Sequence, residues 1–138
     1  MGVSMKKRIV FISVILVFLV GVIVWWNCNT TFLRSVNSED ISVINVRNGN
    51  TGNHFIIDNQ SDINQIVSII QEQSYRKSGI SLGRMGTHFT LSFCDKNDNV
   101  ISKFIVNSND TIRKDPFFYK SLANNTDIID FLTDIENK

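Results

Sequence analysis

His54 and His88 are the only histidines of this 138-residue chain. Neither falls in the H-x-x-x-H or H-E-x-x-H spacing that sets two imidazoles on one helix face around zinc, so no metal is expected. Ser74-Tyr75-Arg76-Lys77 has the S-x-x-K spacing in which a lysine at a helix start activates a serine. Here the serine follows a helical pattern instead of opening one, and the chain has no K-T-G partner. Asp95-x-Asn97-x-Asn99 puts oxygen ligands on alternate positions, as a calcium loop does, but Val100 stands where that loop needs glycine and Val106 where it needs a bidentate glutamate. A polar hairpin turn is the expectation. A Ser-His-Asp set can be assembled on paper from the plentiful serines and aspartates, without the G-x-S-x-G elbow that would expose the nucleophile. These spacings point away from catalysis and call for no cofactor. The alternative is a small hydrolase assembled around His88, which requires a serine and a carboxylate within about 3 Å of the imidazole.

Two segments combine cations with aromatics. Ser74 to Gly86, SYRKSGISLGRMG, breaks the surrounding periodicity with three glycines and carries Arg76, Lys77 and Arg84; Arg113 to Tyr119 carries Arg113 beside Phe117, Phe118 and Tyr119. If the two lie side by side at one end of a sheet, Arg76, Lys77, Arg84 and Arg113 form a basic rim with His88 and Tyr119, suited to an anionic or peptide surface. The plainer alternative puts Phe117 and Phe118 in the core and pairs Arg113 with an acid.

The element that positions all of this is the stretch from Ile9 to Trp26, IVFISVILVFLVGVIVWW, 18 residues without a charge or a proline. At about 1.5 Å per residue it is roughly 27 Å long, close to the hydrocarbon thickness of a bilayer. It reads as a transmembrane helix. Lys6, Lys7 and Arg8 precede it and the next cation is Arg34, so the N-terminus is expected in the cytoplasm and the remainder outside. Trp25 and Trp26 suit the outer interface, where an indole buries its ring and keeps its N–H wet. A cleaved signal peptide would have an apolar core of about 7 to 15 residues and an A-x-A-like site, and Trp-Trp-Asn-Cys-Asn supplies none. Lipidation at Cys28 would need small residues where Trp25, Trp26 and Asn27 stand.

Beyond the flank, 11 Lys and Arg face 13 Asp and Glu, a net charge of −2 that argues against nucleic acid as a partner. The expected partners are the bilayer itself and an envelope protein or anionic envelope polymer. Cys28 and Cys94 are too few and too far apart for a disulfide scaffold. A single alanine and a single proline amid abundant Asn, Ile and Asp suggest an AT-rich, bacterial genome.

Roughly one hundred residues remain for one small domain. Residues 1–8 form the basic flank, 9–26 the helix, 27–40 a flexible polar linker and 41–138 the domain. Ile41 to Arg47 and His54 to Ile57 form a hairpin around Asn48-Gly49-Asn50-Thr51-Gly52-Asn53. Ser61 and Asp62 open an amphipathic helix with Ile63, Ile66, Val67 and Ile70 on one stripe. Thr87 to Cys94 alternates as a half-buried strand, with His88 opposite Phe89. Val100 to Val106 and Thr111 to Arg113 add two more strands, Lys114 to Asn125 is irregular, and Thr126 caps a helix over Asp127 to Glu136. The order ββαβββα makes an α+β domain with a mainly antiparallel sheet and two helices.

The motifs Gly83-Arg84-Met85-Gly86-Thr87-His88-Phe89-Thr90-Leu91, Asp95-Lys96-Asn97, Phe104-Ile105-Val106-Asn107-Ser108 and Asp110-Thr111-Ile112-Arg113, with Phe117-Phe118-Tyr119, resemble a group of small uncharacterised proteins of low-GC Gram-positive bacteria. The resemblance implies an N-terminal anchor or lipoprotein signal and one small outward domain. It brings no activity, ligand or site residue with it.

Overall fold

The computed structural model describes residues 4–86, 88–123 and 126–138. Thr87, with which the third strand was expected to open, and Asn124 and Asn125, at the end of the expected irregular stretch, lie outside the described residues, as do the first three residues of the basic flank.

Helix α1, Met5–Asn27, contains the apolar stretch and buries none of its residues against the rest of the chain. Its mean hydropathy of 3.0 makes it the one helix among the described residues long and apolar enough to cross a membrane.

An eight-stranded antiparallel sheet follows. Its strands are β1 (Asn29–Thr30), β2 (Val43–Asn48), β3 (His54–Ile57), β4 (Tyr75–Ile80), β5 (Phe89–Cys94), β6 (Val100–Ser108), β7 (Thr111–Lys114) and β8 (Phe117–Ser121). They lie in the spatial order β1-β4-β8-β7-β6-β5-β2-β3. Helices α2 (Gln60–Gln71) and α3 (Ile128–Glu136) complete the α+β architecture.

Strand alternation decides what faces the helices. Ile44 and Val46 of β2, Phe89, Leu91 and Phe93 of β5, Phe104 and Val106 of β6 and Ile112 of β7 are buried with Ile63, Ile66, Val67 and Ile70 of α2 and Ile128 and Leu132 of α3 in one core. Both helices therefore cover the same face, and the opposite face is left open.

The helix starts differ from expectation. Asn59, not Ser61, caps α2: its side-chain oxygen accepts from the backbone N–H of Ser61 at 2.9 Å and of Asp62 at 3.4 Å, so the helix begins earlier. Thr126 does not cap α3, because its hydroxyl donates to the Asn109 carbonyl at 2.7 Å. The cap comes from elsewhere in the chain: the Asn109 side-chain oxygen accepts from the Ile129 N–H at 2.9 Å.

The segment expected as a flexible linker belongs to the fold. Asn29 and Thr30 pair with Arg76 and Tyr75, and Phe32 and Leu33 are buried in the core. Gln71 of α2 donates to the carbonyls of Leu33 at 2.6 Å and Val36 at 2.7 Å, and Ser38–Asp40 form a 3₁₀ turn. Polar composition suggested a tether; two buried side chains outweighed it.

Strands β4 and β8 also replace predicted loop and irregular chain. They pair with each other around a bulge between Lys77 and Gly79. That bulge and the Gly79 position blur the period-2 pattern in β4, and the run Phe117-Phe118-Tyr119 never shows an alternation in β8. Their pairing with neighbours, not their own pattern, makes them strands.

Candidate functional site

The charges of the domain are sorted by element. Among the described residues the strands carry seven cations, Arg47, Arg76, Lys77, Lys103, Arg113, Lys114 and Lys120, and no Asp or Glu. Helices α2 and α3 carry Asp62, Asp130, Asp134 and Glu136 and no Lys or Arg. Acids elsewhere sit in turns and helix caps.

Register places most of the strand cations on the open face. Cross-strand pairing joins Arg47 to Thr90, Thr90 to Ile105, Ile105 to Arg113 and Arg113 to Phe118 in one row; Asn45, Ser92 and Lys103 form the next. Arg76 and Lys120 are opposite each other towards the β1 edge. All share the parity opposite to Phe89 and Leu91, which point into the core. Asn45, Arg47, His54, Thr90, Ser92 and Lys103 line a shallow depression of about 440 Å³ on this face. Its polar groups are donors and neutral acceptors, with no carboxylate among them. A polyanion laid across these strands would meet cations spaced by the strand separation of about 4.8 Å and its multiples.

The structure scatters the predicted rim. Arg84 and Arg113 do come together. Arg113 bonds Asp115 through Nε at 2.8 Å, donates to the Arg84 carbonyl at 3.0 Å and lies 5.9 Å from the Phe118 ring centroid. The Ser81 hydroxyl donates to the same Asp115 carboxylate. These two donors, Arg113 first, hold the Asp115 carboxyl below its ordinary range. Arg76 is exposed on β4 and contacts Asn29 at 3.4 Å.

Lys77, two strands away from Arg113, turns to α1 instead. Its ammonium sits 4.2 Å from the Trp25 ring centroid and donates to the Trp25 carbonyl at 3.2 Å. Tyr119 belongs to the core side, edge-on to Phe32 at 5.2 Å and to Phe117 at 6.3 Å, and burial raises its phenol above its ordinary pKa. The same cause lifts Tyr75 to about 12.

His88 lies across the sheet from Lys77. Strand β5 stands four strand spacings from β4, roughly 19 Å away. The imidazole stacks on Phe89, with centroids 4.8 Å and planes 10° apart, and the His88 carbonyl accepts from the Gly49 N–H at 2.7 Å. No hydrogen bond joins its ring to a serine or a carboxylate among the described residues, so the hydrolase geometry has no support there. Nearby, Glu136 at the end of α3 accepts from the side chains of Asn48 at 2.7 Å, Asn53 at 2.9 Å and Thr51 at 3.3 Å. Those bonds, Asn48 foremost, lower the Glu136 pKa; the positive charge of His88 adds the smallest part. This is a clasp between α3 and the β2–β3 turn.

Arg47, Lys103 and Lys120 were not singled out from the sequence, and His54 was weighed only as a zinc ligand. The signal that finds them is the charge of each element taken separately, since the whole-domain balance of −2 averages a basic sheet with acidic helices. Compared with protein-family models, with curated proteins and with solved structures, the chain has no match.

Proposed function

We propose that this chain is a membrane-tethered, extracytoplasmic binding module that uses the open face of its sheet to hold an anionic envelope polymer, without catalysis. Helix α1 is the tether. Lys6, Lys7 and Arg8 keep its N-terminal end in the cytoplasm, by the preference of cations for that side, and Trp25 and Trp26 sit at the outer interface.

The observation that carries the reading is the segregation of charge: the strands hold no acid, and Arg47, Arg76, Lys103, Arg113 and Lys120 share a sheet face uncovered by helices, with Arg113 and Lys120 paired to Asp115 and Asp110 of the adjoining turns. Net charge alone spoke against nucleic acid and gave no sign of a polyanion site. The local field of the open face speaks for such a site, and the extracytoplasmic position favours an envelope polymer over nucleic acid.

The test uses the full chain in nanodiscs of zwitterionic lipid, with long-chain polyphosphate as the polyanion probe. Binding is expected at low ionic strength and should weaken as salt screens the face. Replacing Arg47 and Lys103 together by glutamine removes two exposed charges, each worth about 0.5 kcal/mol, and should weaken binding roughly five-fold. Asp130→Asn with Asp134→Asn, on the helix side, should not weaken it. Absence of binding at low salt, or equal affinity of the Arg47/Lys103 variant and the wild type, refutes the proposal.

A further inference from the structure

Strand β4 runs antiparallel to β1, which leaves α1 after a single intervening residue, Cys28. Because Arg76 is opposite Asn29, the rest of β4 travels back past the start of β1 and along the end of α1. The four steps from Arg76 to Ile80 cover roughly 13 Å in that direction. Ring contacts mark where the strand arrives. Ile80 is paired with Phe117, and the Phe117 ring is 5.6 Å, edge-on, from both the Trp25 and Trp26 rings. Ile80 therefore stands at the level of the two tryptophans that end the apolar helix.

Three large apolar side chains are exposed at and just beyond this point: Ile80 at 57%, Leu82 at 65% and Met85 at 99%. Their loop is held in place. The Ser81 N–H donates to the Pro116 carbonyl at 2.8 Å, the Ser81 hydroxyl bonds Asp115, the Arg84 N–H returns to the Ser81 carbonyl at 3.0 Å, and Arg113 holds the Arg84 carbonyl. A pinned loop with outward apolar tips keeps an apolar patch in water unless something covers it. Lys77 lies on the same strand as Ile80, Arg84 in the same loop and Lys114 opposite Phe117, while the Asp115 carboxylate is already bonded to Arg113 and Ser81.

We infer that Ile80, Leu82 and Met85 seat in the outer-leaflet interface beside Trp25 and Trp26, with Arg84 and Lys114 against lipid phosphates, so that the domain touches the bilayer at a second point. This rests on the tethered reading of α1. Amphipathic surfaces that mix apolar and cationic side chains bind the headgroup region in this manner, and the tryptophan belt fixes the depth to which they reach. The consequence is a fixed orientation: the sheet is docked by one end, and its open basic face stands beside the leaflet instead of swinging freely on a linker.

The experiment places single nitroxide labels on the full chain, in a Cys28→Ser, Cys94→Ala background, reconstituted in vesicles containing anionic phospholipid. Label sites are Leu82→Cys, Met85→Cys, Val24→Cys in the helix and Asn50→Cys in the β2–β3 turn. Accessibility to oxygen against a water-soluble nickel chelate reads depth. Labels at 82 and 85 should show at least a several-fold drop in chelate accessibility relative to the label at 50, with 24 the most protected. A protected label at 24 with water-exposed labels at 82 and 85 overturns the docking and leaves the tether standing. A water-exposed label at 24 removes both. Spin–spin broadening between labels at 82 that disappears on dilution with unlabelled protein would assign the patch to a second copy and also overturn the inference.

Discussion

Lys77 holds its ammonium 4.2 Å from the centre of the Trp25 ring and donates to the Trp25 carbonyl oxygen, so a side chain of β4 caps the C-terminal end of α1. The last turn of α1 contains no basic residue of its own. A cation there adds a second donor to a carbonyl that also accepts from the Cys28 N–H at 3.4 Å, and complements the negative end of the helix dipole. With Phe117 against both tryptophans, it joins the apolar helix to the sheet as one structural unit.

Removing that junction should loosen the connection without unfolding the sheet. Lys77→Ala is expected to cost about 0.5–1 kcal/mol of local stability, the size of an exposed cation–π contact. Combining it with Phe117→Ala should cost more. Amide exchange across residues 27–31 of the full chain should speed up several-fold in the double variant. Unchanged exchange would show that the contacts do not couple helix and sheet.

Phe32 is 5% exposed and lies against Tyr75, Phe104 and Tyr119 with ring centroids 5.2–5.4 Å away. Phe32→Ala should therefore cost about 3–5 kcal/mol, a large part of the stability of a small domain. Ser35→Ala, an exposed site in the same segment, should change stability by less than about 0.5 kcal/mol. Urea midpoints of the two variants measure this, and similar midpoints would return the segment to a passive tether.

The Glu136 clasp sets a pH dependence. Its carboxylate accepts from Asn48, Asn53 and Thr51, so its folded pKa falls below the ordinary value of 4.5. A depressed carboxylate contributes stability that is present above the unfolded pKa and is lost as pH falls through the folded one. The wild type should thus exceed Glu136→Gln in urea midpoint at pH 7, and the gap should close as pH drops below about 4.5. A gap of constant size from pH 7 to pH 3 would assign the clasp to hydrogen bonding independent of charge.

Much of the fold was legible because it rests on local signals. The apolar run of α1, the Asn-Gly turn between β2 and β3, the stripe Ile63, Ile66, Val67 and Ile70, and the alternation of Phe89, Leu91 and Phe93 each report their own element. Strands β1, β4 and β8 were not legible. β1 has two residues, β4 is interrupted by a bulge at Gly79, and β8 has three consecutive aromatics; each is a strand through its partners. The candidate site suffered most. Tyr119 follows two phenylalanines and Lys77 follows an arginine in the sequence, but they face the core side and α1, while Arg84 and Arg113 meet only because the β4–β5 loop returns over β7.

By itself the sequence determined that an apolar helix leads, that its flank is basic, and that an α+β domain follows, because length, hydropathy and periodicity are properties of contiguous residues. Only the tertiary structure decided that the strands gather most of their cations on an uncovered face and the helices gather acids. It alone brought Ile80, at the head of the loop that exposes Leu82 and Met85, to the level of Trp25 and Trp26. Both depend on strand order and register, which are set by contacts between residues far apart in the chain and leave no mark on a local pattern.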